Sequence, residues 1–284
     1  MSTNQSAFGG TFLRANPMLR AKIKYDELMK EEGAASYGGI FAKTGIFMGM
    51  TILGYILYYV FQRLIFDHMT PFLVGPSGKG VTAFQVILIP VLLILRIVFP
   101  LITRKKPEKA PLFGSFYCII QGYFIASTVY LYANISGFGA MAEIAAVAAL
   151  LLTVLIVLIM AFLYAKGWVH AGKKFNAVMK VAFPAMILFT IASIVLRFIP
   201  ATAGALAALD ANPVLTIIIG LVGIIIATLF LISDFDMIQR TVEGSAPKMY
   251  EWIAAFGLAV TVIWLYIKIL QLVLKVLGKS KSNN

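Results

Sequence analysis

Seven long apolar stretches, separated by short polar connections, occupy most of the chain. Each is close to the roughly 20 residues that an α-helix needs to cross the hydrocarbon core of a bilayer. In lipid the backbone N–H and C=O groups must pair within the segment, so these stretches are predicted to be helices rather than open strands. The predicted spans are 44–66, 83–103, 112–132, 142–165, 178–198, 214–238 and 252–277.

The predicted fold class is therefore all-α: a polytopic membrane protein with a seven-transmembrane-helix bundle. The same pattern divides the chain into an N-terminal polar segment, 1–43, a membrane domain, 44–277, and a polar C-terminal tail, 278–284. No apolar block followed by a small-residue cleavage site occurs near the start, so a removable signal peptide is not expected.

The composition agrees with this pattern and excludes a soluble globular protein. Of the 284 residues, 61% are hydrophobic and 13% are charged. The formal net charge of +12 comes from basic residues in the connections, where they meet anionic lipid head groups, so nucleic acid is not an expected partner. These residues follow the second, fourth and sixth spans and occur in the N-terminal segment. By the positive-inside rule, the N-terminus and these connections are expected to be cytoplasmic.

The sequence offers no residues for an enzyme and needs no cofactor. Neither G-x-S-x-G nor H-E-x-x-H occurs, and nothing pairs a nucleophile with a base. His68 and His170 lie in connections on opposite predicted sides of the membrane, which makes a histidine metal site improbable. The single cysteine, Cys118, lies in an apolar run and is interpreted as packing.

A few charged residues lie within the predicted spans, where each costs about 2.5 to 3.5 kcal/mol on insertion scales. Glu143, Lys180 and Arg197 are close enough to helix ends to reach water. The remaining four are functional candidates. They are Arg96 in the second span, Asp234 and Asp236 near the inner end of the sixth, and Lys268 inside the seventh. Arg96 could line a water-filled path or bond a carbonyl near a proline.

Asp234 and Asp236 are separated by about 200° around a helix, so only one of them is expected to face the bundle interior. Desolvation disfavours the charged form of such a carboxylate and a nearby cation favours it, which makes the residue a candidate proton-sensitive latch. Lys268 and Arg104 are the candidate cations. A static ion pair that fixes helix packing is the alternative. The two aspartates are also weak candidates for calcium ligands; no metal site is predicted beyond them.

Five short stretches resemble the Bax inhibitor-1 family, also called the transmembrane Bax inhibitor motif family, and in particular its bacterial branch. Their order and spacing agree with the family over most of the chain. They are 234–238 (Asp-Phe-Asp-Met-Ile), 264–270 (Trp-Leu-Tyr-Ile-Lys-Ile-Leu), 16–18 (Asn-Pro-Met), 41–45 (Phe-Ala-Lys-Thr-Gly) and 104–106 (Arg-Lys-Lys).

The resemblance implies a bundle whose last helix is central, in a bacterial plasma membrane. It also implies a pH-sensitive calcium leak controlled by an aspartate pair between the last two helices and an arginine at the inner end of the second. By match, Asp236 is the sixth-helix aspartate and Arg104 the arginine. Lys268 stands where an acidic residue is usual in the seventh helix. A lysine there would shift the switch towards acid and weaken attraction for a divalent cation.

Two functional hypotheses follow. The first is a pH-responsive ion-permeation protein, with calcium or protons as the permeating ions and Asp236 as the titrating group. The second is a non-conducting membrane protein that regulates a membrane protease or a secretion complex, an interpretation that Lys268 favours.

Overall fold

The computed structural model describes residues 33–74, 80–172 and 212–282, together with isolated residues between 174 and 204. Within these ranges, six helices are long and apolar enough to cross a membrane. They are α1 (Tyr37–Leu64), α2 (Ala83–Lys105), α3 (Ala110–Tyr130), α4 (Ala140–Ala165), α5 (Pro213–Glu243) and α6 (Tyr250–Ser282). The all-α membrane fold predicted from the sequence is therefore confirmed.

The six helices correspond to the first four and the last two predicted spans. The fifth predicted span, 178–198, lies mostly outside the described residues. The largest boundary difference is at α1, which begins at Tyr37 rather than at residue 44, so Lys43 belongs to the helix and not to the preceding polar segment. The glycines at 38 and 39 weaken the helical signal in the sequence, and a cap at Ser36 restores the helix start.

Polar caps fix where the helices begin. The Ser36 hydroxyl accepts a hydrogen bond from the Gly39 N–H at 3.0 Å, at the start of α1. At the start of α2, Thr82 and Gln85 satisfy each other's backbone N–H groups in a capping box. α5 begins with Pro213 in its first turn, and Asn212 caps it. These bonds satisfy backbone donors that a helix cannot pair internally.

A short antiparallel hairpin connects α1 to α2. It is formed by β1 (Pro71–Val74) and β2 (Gly80–Thr82), with Pro71 paired to Thr82. β2 leads directly into the capping box of α2, so the hairpin fixes where that helix enters the bundle. A 3-10 turn of residues 66–68 precedes the hairpin.

α1, α3 and α6 begin at one end of the bundle, and α2, α4 and α5 end there. We call the end that holds residues 33–37, 105–110, 165–172 and 240–250 the basic end, and the opposite one the far end. At the far end, Gln62 of α1 donates to Tyr130 of α3 at 3.1 Å and accepts from Gln85 of α2 at 2.9 Å. Gln62 and Gln85 are both buried, so this network joins the first three helices where lipid would leave polar groups unpaired.

The last helix is the centre of the bundle. α6 packs against α1, α3, α4 and α5. In the most apolar stretch of α6, 56% of the residues are buried. In the corresponding stretch of α2 the share is 6%, so the surface of that helix is left for lipid. Small side chains such as Ala254, Ala255 and Ala259 lie fully or almost fully buried along it and allow its neighbours to approach closely. The central C-terminal helix implied by the resemblance is therefore confirmed.

α1 and α3 pack closely, and their backbones meet at two glycines. A Cβ on Gly54 would lie 2.0 Å from the Ile119 carbonyl oxygen. A Cβ on Gly122 would lie 1.9 Å from the Thr51 carbonyl oxygen. Backbone atoms cannot move aside as a side-chain tip can, so both positions require glycine for this packing.

Replacing Gly54 by alanine is expected to destabilise the protein by about 1 to 3 kcal/mol, because the new methyl group forces α1 away from α3. Thermal unfolding of the purified protein in detergent micelles measures the effect. Gly49→Ala is the matched control, since it lies in the same helix with nothing within 4 Å of its Cβ position. The control should be neutral or slightly stabilising, because alanine favours helix more than glycine does. Equal losses in both variants would contradict the close contact.

Candidate functional site

Asp234 lies where α5 packs on the central helix. Its Oδ1 atom is 3.6 Å from the position that a Cβ on Gly257 would take, and the Thr261 side chain is a polar neighbour of the same carboxyl group. Glycine at 257 leaves room for the carboxyl group, and Thr261 lies one turn further along α6. The side chain therefore points from α5 into the bundle, against α6.

The second oxygen of this carboxyl group, Oδ2, is inaccessible to solvent and has no hydrogen-bond partner among the described residues. Two other buried side-chain oxygens share this property, Thr103 Oγ1 and Gln121 Oε1. Only Asp234 among the three can ionise. A buried polar atom without a partner calls for a physical explanation, such as a bound proton, water or ion.

Asp236 has a different environment. Its Oδ2 atom is 2.9 Å from Nε of Arg240, one turn further along the same helix. The Arg240 side chain is 69% exposed, so this is a solvent-facing pair rather than a contact with the central helix. The expectation that the two aspartates diverge is supported, but the residue against α6 is Asp234, whereas the resemblance had assigned that position to Asp236.

Lys268 is not the cation beside either aspartate. It follows Thr261 by seven residues on α6, which is roughly 10 Å along the helix. Its Cδ atom lies 3.4 Å from the position of a Cβ on Gly223 of α5, and its ammonium is 6.0 Å from the centre of the Trp264 ring. α6 begins at Tyr250 and runs without interruption, so Lys268 lies deeper in the bundle than the aspartates.

The two arginine candidates lie on α2. The guanidinium of Arg96 stacks 4.8 Å from the centre of the Phe124 ring of α3. This is a cation–π contact. The sequence left two interpretations open for Arg96, a carbonyl partner or a water-filled path, and neither of them included such a contact. Arg104 is in the last turn of α2, and its side chain lies outside the described part of the structure.

The structure also contains a buried ion pair that the sequence analysis missed. Glu251, in the first turn of α6, is fully buried and forms a salt bridge with Lys43 of α1. Its Oε1 atom also accepts from the Ser36 N–H at 2.7 Å and from the Ser36 hydroxyl at 3.2 Å. A Cβ on Gly39 would lie 2.3 Å from this carboxyl group, so glycine there makes room for it.

The ion pair was missed because each partner lies one residue outside a predicted span. Lys43 was assigned to the polar segment that ends at 43, and Glu251 to the connection before 252. The signal available in the sequence was Glu251 itself, an acidic residue at the start of a helix, where a negative charge interacts favourably with the helix dipole.

Residues 33–36, which we call the N-terminal strap, cross the turn between α5 and α6. The Ala35 N–H donates to the Ala246 carbonyl at 2.7 Å, and the Lys248 N–H donates to the Gly33 carbonyl at 3.0 Å. Together with the bonds of Ser36 to Glu251, they join the start of α1 to the start of α6. The strap therefore holds the basic end of the bundle together.

Below the ion pair, four aromatic rings form what we call the aromatic layer: Phe47, Tyr117, Trp252 and Phe256. Phe47 meets Trp252 and Phe256 edge to face, with ring centres 5.7 and 5.6 Å apart, and Tyr117 meets Phe256 at 5.4 Å. The Lys43 ammonium lies 5.1 Å from the Trp252 ring centre. Moving inward from the basic end, the order is ion pair, aromatic layer, then the Asp234 carboxyl group.

A calcium site made by both aspartates does not fit this arrangement. Ca²⁺ prefers six to eight oxygen ligands, and Asp234 and Asp236 point to different surroundings. Among the described residues, no group of three or more His, Cys, Asp and Glu side chains could hold a metal ion.

Comparison with known protein families assigns the chain. The family model described as Bax inhibitor 1 like matches residues 16–278, nearly the whole length. The chain belongs to the Bax inhibitor-1-like family. No curated protein and no solved structure matches this Bax inhibitor-1-like protein. With its apolar helices, family membership makes it a multi-pass membrane protein.

Glu251→Gln and Lys43→Met should each destabilise this Bax inhibitor-1-like protein by about 3 to 5 kcal/mol, because each leaves a buried charge unpaired. The double variant should lose much less than the sum, since neither charge remains. Thermal unfolding in detergent micelles of all four combinations measures the coupling. Asp236→Asn is the control, because its solvent-facing pair with Arg240 should contribute only about 0.3 to 0.5 kcal/mol. Additive losses would show that the two side chains do not interact.

Proposed function

We propose that this protein is a pH-responsive ion-permeation protein of the Bax inhibitor-1 type, with calcium as the conducted ion and Asp234 as the controlling group. The single observation that carries the proposal is the Oδ2 atom of Asp234, which is inaccessible to solvent and has no hydrogen-bond partner in the part of the chain that the structure describes. The proposal keeps the mechanism considered from the sequence but moves the titrating residue from Asp236 to Asp234.

The two protonation states of the Asp234 carboxyl group place different requirements on the surroundings of Oδ2. A protonated carboxyl group is a hydrogen-bond donor and carries no charge, whereas the ionised group only accepts and carries a negative charge. In a low-dielectric interior, an unpaired charge costs much more than a neutral group. Ionisation of Asp234 therefore favours a packing of α5 on α6 that admits water or a cation, and protonation favours the dry packing.

The layers on the basic-end side of Asp234 support a closed conformation. Along α6, Glu251 of the ion pair and Trp252 of the aromatic layer both lie nearer that end than Gly257, which faces Asp234. Glu251 precedes Gly257 by six residues, so the carboxyl group of Asp234 lies roughly 9 Å inward from the ion pair. In this proposal, ions pass only when the contact of α5 with α6 rearranges. The basic end is proposed to face the cytoplasm of a bacterial cell, since positive charge concentrates there.

A second candidate function is a non-conducting regulator of other membrane proteins, such as a protease or a secretion complex. Lys268 favours it, because a half-buried ammonium on the central helix opposes the passage of a divalent cation. This lysine lies on the same α5–α6 interface as Asp234, deeper in the bundle. If it blocks conduction, the aspartate would only adjust the packing of α5 on α6.

Calcium flux into liposomes that hold a calcium dye tests the first candidate. Wild-type calcium flux should fall from pH 8 to pH 5, because Asp234 gains a proton and protonation favours the dry packing of α5 on α6. Asp234→Asn mimics the uncharged state, so its flux should be independent of pH and equal to the wild-type flux at acid pH. Asp236→Asn is the matched control and should keep the pH response. Wild-type flux equal to that of empty vesicles at every pH would reject the channel.

Replacing Lys268 by aspartate separates the two candidates. A carboxylate in place of an ammonium removes repulsion of cations and adds an oxygen ligand, so calcium flux should rise several-fold if the α5–α6 interface lines the path. Lys166→Asp is the control, because it makes the same charge change at the exposed end of α4. Unchanged flux in Lys268→Asp, with intact folding by thermal unfolding, would favour the non-conducting regulator.

A further inference from the structure

A cavity of about 480 Å³ opens at the basic end, outside the Asp234 site. It lies between α1, the 3-10 turn of residues 107–109 that precedes α3, and the start of α6. Its lining residues are Lys43, Glu108, Pro111, Lys248, Met249 and Trp252. The α5–α6 contact around Asp234 does not line this cavity, although two of the lining residues, Lys43 and Trp252, also belong to the ion pair and the aromatic layer.

The lining combines positive charge with an apolar surface. Lys43 and Lys248 line it together with Trp252 and Met249, and the Lys43 ammonium lies 5.1 Å from the centre of the Trp252 ring. Glu108 is the one carboxylate that lines the cavity. Lys43 is shared with Glu251, but Lys248 is exposed, and no salt bridge is found for it among the described residues. The cavity thus offers a cation to an anionic ligand that also has an apolar part.

The surrounding charge extends the same preference. Lys105, Lys106 and Lys109 are exposed on the turn that carries Glu108 into the cavity wall. Together with Lys248 they make four lysines around the cavity, compared with one carboxylate, so the net charge there is positive. Each lysine close to a membrane surface contributes about 1 kcal/mol to the attraction of anionic lipids.

The position of the cavity indicates where such a ligand comes from. The lining residues lie in the first two turns of α1 and α3 and around the start of α6, where membrane-spanning helices leave the hydrocarbon core. Trp252 is of the type that is enriched at the level of lipid head groups. A ligand in the cavity therefore meets both the phosphate layer and the upper part of the acyl chains.

We propose that this cavity binds the phosphate head group of an anionic membrane phospholipid. The phosphate lies between the ammonium groups of Lys248 and Lys43, and the glycerol and upper acyl chain lie on Trp252, Met249 and Pro111. Glu108 weakens binding by repelling the phosphate. Because Lys43 also pairs with Glu251, the bound lipid stands next to the contact that ties α1 to α6.

Native mass spectrometry of the detergent-purified protein, titrated with short-chain phosphatidylglycerol or phosphatidylcholine, tests this site. Phosphatidylglycerol should bind more tightly, because its head group keeps a net negative charge. Lys248→Gln should weaken its binding about fivefold, the loss of roughly 1 kcal/mol. Glu108→Gln should strengthen it by a similar factor. Lys166→Gln, an exposed lysine at the basic end outside the cavity lining, is the control and should leave the affinity unchanged.

Three results would overturn the proposal. Equal affinity for the two lipids would show that the cavity does not select a negative head group. Equal effects of Lys248→Gln and Lys166→Gln would show that binding follows overall charge rather than this cavity. Competition by inorganic phosphate at the concentration of the lipid would assign the cavity to a free anion. The affinity gain from Glu108→Gln does not depend on how well Lys248→Gln folds, so it tests the site independently.

Discussion

A carboxyl group on or against the central helix must find its partners within the protein, because α6 packs against four other helices. Glu251 and Asp234 answer this constraint in opposite ways. Glu251 carries a full set of partners in Lys43 and Ser36, so its charge is fixed and ties the N-terminal strap to the start of α6. Within the described ranges, the carboxyl group of Asp234 has one oxygen without a partner, which leaves its protonation state free to change with its surroundings.

This difference divides the basic half of the bundle into a fixed part and an adjustable part. The strap, the ion pair and the aromatic layer all join α1 and α3 to α6 through many directed contacts. The contact of α5 with α6 around Asp234 and Lys268 instead relies on glycines at 223 and 257, which give space to a charged side chain on the facing helix. When a flexible polar side chain moves away, water can fill the space that it occupied. A layer of interlocked aromatic rings leaves no such space for water.

The sequence predicted well the six spans that lie within the described residues, because a run of about 20 apolar residues leaves a membrane protein few alternatives. It also predicted that Asp234 and Asp236 diverge, since a separation of two residues has a fixed angle on a helix. It did not predict which of them faces α6, because that depends on how α5 is rotated in the bundle. The Lys43–Glu251 pair joins residues 208 positions apart and depends on both helices beginning earlier than their apolar runs. The hydropathy pattern shows which residues lie in lipid, but it does not show how far a helix continues beyond them.

The contact of α1 with α3 at Gly54 and Gly122 has a mechanical consequence. Main-chain atoms touch there, so no change of rotamer can absorb a sliding or rolling of one helix on the other. The two helices must move as one stiff body, and the glutamine–tyrosine network at the far end adds a second fastening to it. A rearrangement of the bundle would therefore move α1 and α3 together, without a change in the contact between them.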